Sequence, residues 1–206
     1  MPKQQAIRSK DAYHHGDLRR QLLQAAKQLI REHGADQFKV AEACKLAGVS
    51  IAAPYRHFEN RDDLLDHVVM QGLDDMKADL TNAIAGLPSG SIESLTALGV
   101  GYVDFARREP KLFRLMFRPC DDEERHQRLE SHGAETYGVL LNEVASSLKK
   151  KAIDEQVLEL ALPMWTFVHG TAVLLIDDML NVAEIDVDVE KMVHVVCARL
   201  MGPAVG

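Results

Sequence analysis

Residues 39–58 read KVAEACKLAGVSIAAPYRHF and divide into two short helical pieces around a glycine. In the first piece Val40, Ala43, Cys44 and Ala47 recur at helical spacing, which turns Lys39, Glu42 and Lys45 outward. Gly48 supplies the turn, Val49 can pack back on the first helix, and Ser50 is placed to cap a second helix by accepting from a free backbone N–H. Pro54 opposes a helix here, because it lacks an N–H and disfavours helical geometry at Ala53. Within a first turn begun at Ser50 it removes only one intrahelical bond. The expectation is therefore a second helix carrying Tyr55, Arg56, His57 and Phe58, the arrangement by which a helix-turn-helix enters a DNA groove.

Working outward, the periodicity is helical almost throughout, with no alternating strand pattern, internal repeat or low-complexity tract. The reading is an all-α chain of about nine helices. The first spans about 17–33, with Leu18, Leu22, Ala25, Ala26, Leu29 and Ile30 inward, and stops at Gly34. Asn60 caps a long fourth helix whose Leu64, Val68, Leu73, Met76 and Leu80 can run between two domains, 1–60 and 61–206. Further helices are expected at 92–108, from Pro110 onward, at 122–150, at 154–180 and at 187–201. Residues 164–176, MWTFVHGTAVLLI, are apolar nearly all round, so that helix is either the centre of a monomeric bundle or a face shared with a second subunit.

Charge narrows the function. The chain has 206 residues, 47% hydrophobic content and a net charge of −7, but residues 1–61 hold eleven Lys and Arg against six acids, a net +5, and the remainder carries −12. A basic head on an acidic body brings a polyanion to the head and repels it elsewhere. Cys44, Cys120 and Cys197 are far apart and lack metal-finger spacing, so reduced thiols and no zinc site are expected. No run of about eighteen apolar residues and no secretion signal is read, which implies a cytoplasmic protein without a membrane partner.

AGVS at 47–50 and YRHF at 55–58, with YHHGDLRRQLLQAAKQLIREHG at 13–34 and NRDDLL at 60–65, resemble the TetR family of bacterial transcriptional regulators. WTFVHG at 165–170 is similar to the Trp-x-x-x-His-Gly element of one subgroup. The resemblance implies a homodimer paired through the two C-terminal helices, with two recognition helices about 34–36 Å apart on a pseudo-palindromic double-stranded operator. It also implies repression relieved by a small effector and no cofactor. Two positions depart from the family pattern: Lys39 stands where Thr or Ser usually caps the second helix, and Arg61 where Lys is common.

Candidate DNA contacts follow. Ser50, Ile51, Ala52 and Ala53 form the leading end of the expected recognition helix, the apolar three suited to thymine methyls or to close approach. Arg56 addresses either a guanine edge or a phosphate. By the resemblance, Tyr55, His57, Lys39, Arg61 and the segment His14, His15 and Gly16 meet backbone phosphates. In the body, Tyr102, Phe105, Phe113, Met116, Phe117, Tyr137, Trp165 and His169 are candidates for lining an apolar effector cavity, with ordinary core packing as the alternative for each. The competing class is a helical small-molecule protein or enzyme that does not use its helix-turn-helix on an operator. No nucleophile elbow, phosphate loop, HExxH or paired Glu-x-x-His pattern appears in the sequence.

Overall fold

The computed structural model describes residues 10–119, 122–180 and 187–202, with 10–17 as helical backbone alone. Among the described residues the chain forms eight α-helices, one short 3₁₀ helix and no strand. The helices are α1 (Lys10–His33), α2 (Val40–Leu46), α3 (Arg61–Ala83), α4 (Ile92–Arg108), α5 (Pro110–Met116), α6 (Glu123–Ser147), α7 (Glu155–Ile176) and α8 (Val189–Met201).

Of the nine expected helices, the third, begun at Ser50, is the one missing. From Ser50 the chain makes a turn, Ala53 N–H bonding Ser50 O at 3.0 Å, and then only the 3₁₀ segment Pro54–Arg56. Pro54 cannot donate, so the helix that a Ser50 cap would have started does not propagate, and the 3₁₀ segment that replaces it starts at Ala53 without a side-chain cap. The punctuation before it is as the sequence implies. Gly48 N–H bonds Lys45 O at 3.2 Å and Val49 N–H bonds Cys44 O at 3.0 Å, a paired closure of α2 that needs the left-handed φ of +69° at Gly48.

Other ends also move. α1 begins at Lys10, about two turns before the expected start, with Gly16 tolerated inside it at a cost of about 1 kcal/mol. α6 stops at Ser147 because Lys149 turns to φ +57°, and α7 stops at Ile176 just before Asp178 at φ +58°. Aspartate and asparagine caps start α3, α6, α7 and α8: Asn60, Asp122, Asp154 and Asp188 each accept from the backbone N–H three residues on.

Two hydrophobic cores result. The head's core joins Leu22, Ala26 and Ile30 of α1 to Phe38, Cys44, Phe58 and the first turns of α3, Leu64, Leu65 and Val68. The body's core gathers Met76 and Leu80 of α3 with Leu98, Phe105, Val144, Ala161, Val168 and Val193. α3 therefore belongs to both. So does α5: Leu112 lies in the head's core and Phe113, the next residue, in the body's. α5 comes so close to α3 that a Cβ on Gly72 would lie 2.9 Å from Met116 Sδ.

Ion pairs reinforce that junction. Arg31 holds Glu109 with two bonds of 2.6 and 2.7 Å, Arg118 meets Asp36 at 3.0 Å, and Asp66 on α3 is gripped by Arg125 and Arg128 of α6. The turn before α4 is fixed differently. Buried Glu143 accepts from Ser89 Oγ, Gly90 N–H and Ser94 Oγ at 2.7–2.9 Å. Gly90, at φ +73°, sits so close to α6 that a Cβ would be 2.3 Å from Ser147 N.

Glu159 and Asp177 bound the apolar stretch of α7, so no run of about eighteen apolar residues occurs there, as expected. By length and composition this helix is apolar enough to cross a bilayer, with a mean hydropathy of 1.4 over its most apolar window. Its inner face, Val157, Ala161, Met164, Val168 and Ala172, is buried within the bundle, whereas Leu158, Leu162 and Leu174 are exposed.

Candidate nucleic-acid interface and effector cavity

The head presents one outward surface. Lys39 begins α2 with extended backbone and no side-chain cap; its Nζ lies 3.6 Å from Glu42 and its side chain is 73% exposed. Ser50, Ile51, Ala52, Tyr55 and Arg56 are exposed in the following turns, Ile51 at 64% and Tyr55 at 60%. Ala53 is not available for a base, since it is buried with Pro54 beneath the turn. His57 is half-buried with its ring edge toward Phe58, which is core. Arg19 of α1 lies over the Phe58 ring at 5.3 Å and helps hold the segment against the head. The side chains of His14, His15 and Gly16 lie outside the described residues; their backbone is helical.

Arg61 has a second task that its sequence position did not disclose. Its guanidinium donates to Ala35 O at 2.6 Å and Phe38 O at 3.3 Å and lies over the Phe38 ring, tying the start of α3 to the loop before α2. A substitution there would loosen the head as well as remove a cation.

The body encloses a cavity of about 420 Å³ between α3, α4, α6, α7 and α8. Of the eight expected lining residues, Tyr102, Phe117, Tyr137 and Trp165 face it. Phe105, Phe113, Met116 and His169 do not: Phe105 and Phe113 are 1% exposed in the core, Met116 packs against Gly72, and His169 stands behind the wall. There His169 is ringed by aromatics, its centroid 4.7 Å from Phe117, 5.4 Å from Phe113 and 5.5 Å from Trp165. Tyr102 Oη is 2.9 Å from His169 Nδ1, a hydrogen bond whose direction the imidazole tautomer sets. Residues absent from the sequence expectation complete the wall, notably Leu73, Leu98, Glu130, Gly133, Thr136 and Phe167. The helical stripe Glu130, Gly133, Ala134, Tyr137 on α6 was the available signal, because two small residues between larger ones leave space on one face.

Burial sets the ionisation here. It pushes the Tyr102 hydroxyl up, so the phenol stays protonated, pushes the Cys197 thiol up to about 11, and pulls the His169 imidazole below its ordinary 6.5. Burial thus favours the neutral imidazole at His169 in the fold. The unfolded chain takes up that proton first as pH falls through 6.5, so the stability His169 contributes is complete above that pH and is lost toward the lower folded value. Thermal midpoints between pH 7.5 and 5.5 should fall more steeply for the wild type than for His169→Phe; equal slopes would contradict this. Among the described residues no group of three His, Cys, Asp or Glu is arranged to hold a metal.

A helical head that exposes α2 and the turn after Gly48, joined through α3 and α5 to a helical body with an apolar cavity, is the architecture of a DNA-binding regulator. Residues 22–68 match the model for bacterial regulatory proteins of the tetR family, and residues 95–200 match the tetracyclin repressor-like C-terminal domain. The chain belongs to the TetR family of transcriptional regulators.

Solved structures agree in fold. A protein of unknown function from Rhodococcus sp. RHA1 is 26% identical, with a TM-score of 0.73 over 93% of this chain and 97% of that one. A TetR-family transcriptional regulator from Streptomyces coelicolor is 14% identical, with a TM-score of 0.65 over 88% and 80%. A TetR/AcrR-family regulator from Thermobifida fusca YX-ER1 is 19% identical, with a TM-score of 0.62 over 91% and 98%. No curated protein matches the sequence.

Proposed function

We propose that this protein is a cytoplasmic, dimeric repressor that binds a pseudo-palindromic operator through its head and leaves it when a small, largely apolar effector enters the body. The observation that carries the reading is the exposure of Ile51 and Tyr55 beside Arg56, on a head with net positive charge. Bulky apolar side chains left open at the tip of a helix-turn-helix are suited to base edges and sugar–phosphate, not to water. The head is taken as residues 1–60 with the first turns of α3, and the body as the rest. Dimerisation through α7 and α8 is supported by the exposure of Leu158, Leu162, Leu174 and Val195 on those two helices. Repression, as opposed to activation, follows the family.

Coupling between the sites is assigned to α5. An effector pressing on Phe117 and Trp165 bears on His169 and, behind it, Phe113, whose neighbour Leu112 is set in the head's core. The effector would favour a spacing of the two heads that no longer fits successive major grooves, and release follows as a population shift.

Fluorescence anisotropy against DNA from upstream of the protein's own coding region, compared with scrambled DNA over a salt series, tests the DNA-binding claim. Lys39→Ala should weaken both DNAs alike and reduce the salt slope by about one. Arg56→Ala should cost about 1–3 kcal/mol on the operator and little on scrambled DNA if it reads a guanine. An equal loss on both DNAs would place Arg56 on phosphate instead.

A further inference from the structure

Among the described residues, the wall of the body's cavity carries one acidic side chain and no Lys, Arg or His. Aliphatic and aromatic groups make up most of it; Thr136, Cys197 and the Tyr hydroxyls are neutral, and Glu130 of α6 is the sole Asp, Glu, Lys or Arg. Glu130 has no ion pair or hydrogen bond among the described residues. The Lys and Arg residues of α3 and α6 are engaged elsewhere: Arg61 with the Ala35 and Phe38 carbonyls, Lys77 with Glu135 at 2.8 Å, and Arg125 and Arg128 with Asp66. Glu130 shares its helical stripe with Tyr137, and Gly133 between them has nothing within 4 Å of where a Cβ would be. Gly133 thus leaves open space on the stripe between Glu130, an exposed lining residue, and Tyr137, whose ring centroid lies 5.9 Å from that of Trp165.

Such a wall discriminates by charge. An anionic ligand would give up its hydration to a lining that returns no cation, and would meet Glu130 and a body of net charge −12. A neutral ligand gains only apolar burial. An organic cation gains that burial, the Glu130 carboxylate, and the negative faces of Tyr102, Phe117, Tyr137 and Trp165.

We propose that the effector of this protein is a hydrophobic organic cation, with its positive charge near Glu130 and its apolar body among the aromatic rings. The assignment rests on reading the cavity as the effector site.

Trp165, the only tryptophan, lies in the wall and reports on occupancy. The full-length protein is titrated with decyltrimethylammonium, decanol and decanoate below their micellar concentrations, following Trp165 emission with calorimetry in parallel and circular dichroism to show that the fold persists. The cation should bind about 10-fold more tightly than the alcohol at low salt, with decanoate weakest. Glu130→Gln, at an exposed helical position that the fold does not depend on, should remove most of that preference while leaving decanol within about twofold. Equal affinity for all three, unchanged by Glu130→Gln, would overturn the cationic class and leave the cavity as an effector site. Absence of any binding by emission and calorimetry would overturn both.

Discussion

Val195→Glu is expected to convert the protein from a dimer to a monomer and to lower its affinity for an operator by about 10²–10⁴-fold, the loss of linked binding. Val195 lies in the middle of α8 and is 48% exposed; Leu158, Leu162 and Leu174 on α7 are 46%, 54% and 37% exposed. Each chain would bury such a face against its copy, so a two-fold interface receives two new carboxylates from one substitution. An unpaired charge in an apolar interface costs several kcal/mol, enough to dissociate a dimer of ordinary size. Sedimentation equilibrium should then give 22.9 kDa in place of twice that mass. Val195→Ala, which removes apolar contact without adding charge, should remain dimeric at micromolar concentration. Anisotropy closes the argument, because a single head keeps its phosphate contacts and should approach the affinity for scrambled DNA. A Val195→Glu protein that stays dimeric with full operator affinity would show that α7 and α8 do not form the interface.

Much of this architecture is legible one residue at a time. The bounds of α4 follow from the helical spacing of Leu95, Leu98, Tyr102 and Phe105 after the Ser91 cap, and α5 opens where Pro110 allows it. The segment after Gly48 misleads because a cap, a turn and a motif all call for a helix, whereas Pro54 decides the hydrogen bonding locally and leaves a 3₁₀ turn. Aromatic periodicity does not separate lining from core. Tyr102 and Phe105 are one helical turn apart on α4, yet Tyr102 faces the cavity while Phe105 is sealed in the core beneath Arg108, a difference set by how α4 is rotated against α3 and α7. Glu130 lies on a stripe that the sequence shows, but nothing in the sequence marks it as the acid of the wall. Its significance lies in the absence of a cation, among the described residues, from a wall that five helices build only in three dimensions.

Asp66→Asn is expected to destabilise the protein by about 2–4 kcal/mol, below the upper range for a broken buried ion pair because its partners reach solvent. Asp66 is 2% exposed on α3; Arg125 holds it through Nε–Oδ2 and Nη2–Oδ1 bonds of 2.7 and 2.8 Å, and Arg128 adds a third at 3.2 Å. Asparagine keeps the shape but turns an NH2 group toward the guanidiniums, so at least one of three charge-assisted bonds becomes a donor–donor contact. The Arg125 and Arg128 side chains are 30% and 44% exposed, and Arg125 also lies 3.6 Å from Asp62, which limits the penalty. For a chain of this length the loss corresponds to a fall in Tm of roughly 4–16 °C at fixed protomer concentration. Urea unfolding of Asp66→Asn, Arg125→Met and the pair should give a coupling energy above about 1 kcal/mol. The consequence reaches function, since the pair fastens the first turns of α3, part of the head's core, to the helix that carries Glu130 and Tyr137 in the cavity wall. A protein with this clamp opened should bind operator more weakly and respond less to any effector. An Asp66→Asn variant within 0.5 kcal/mol of wild type, with unchanged operator affinity, would show the α3–α6 contact to be held by packing alone.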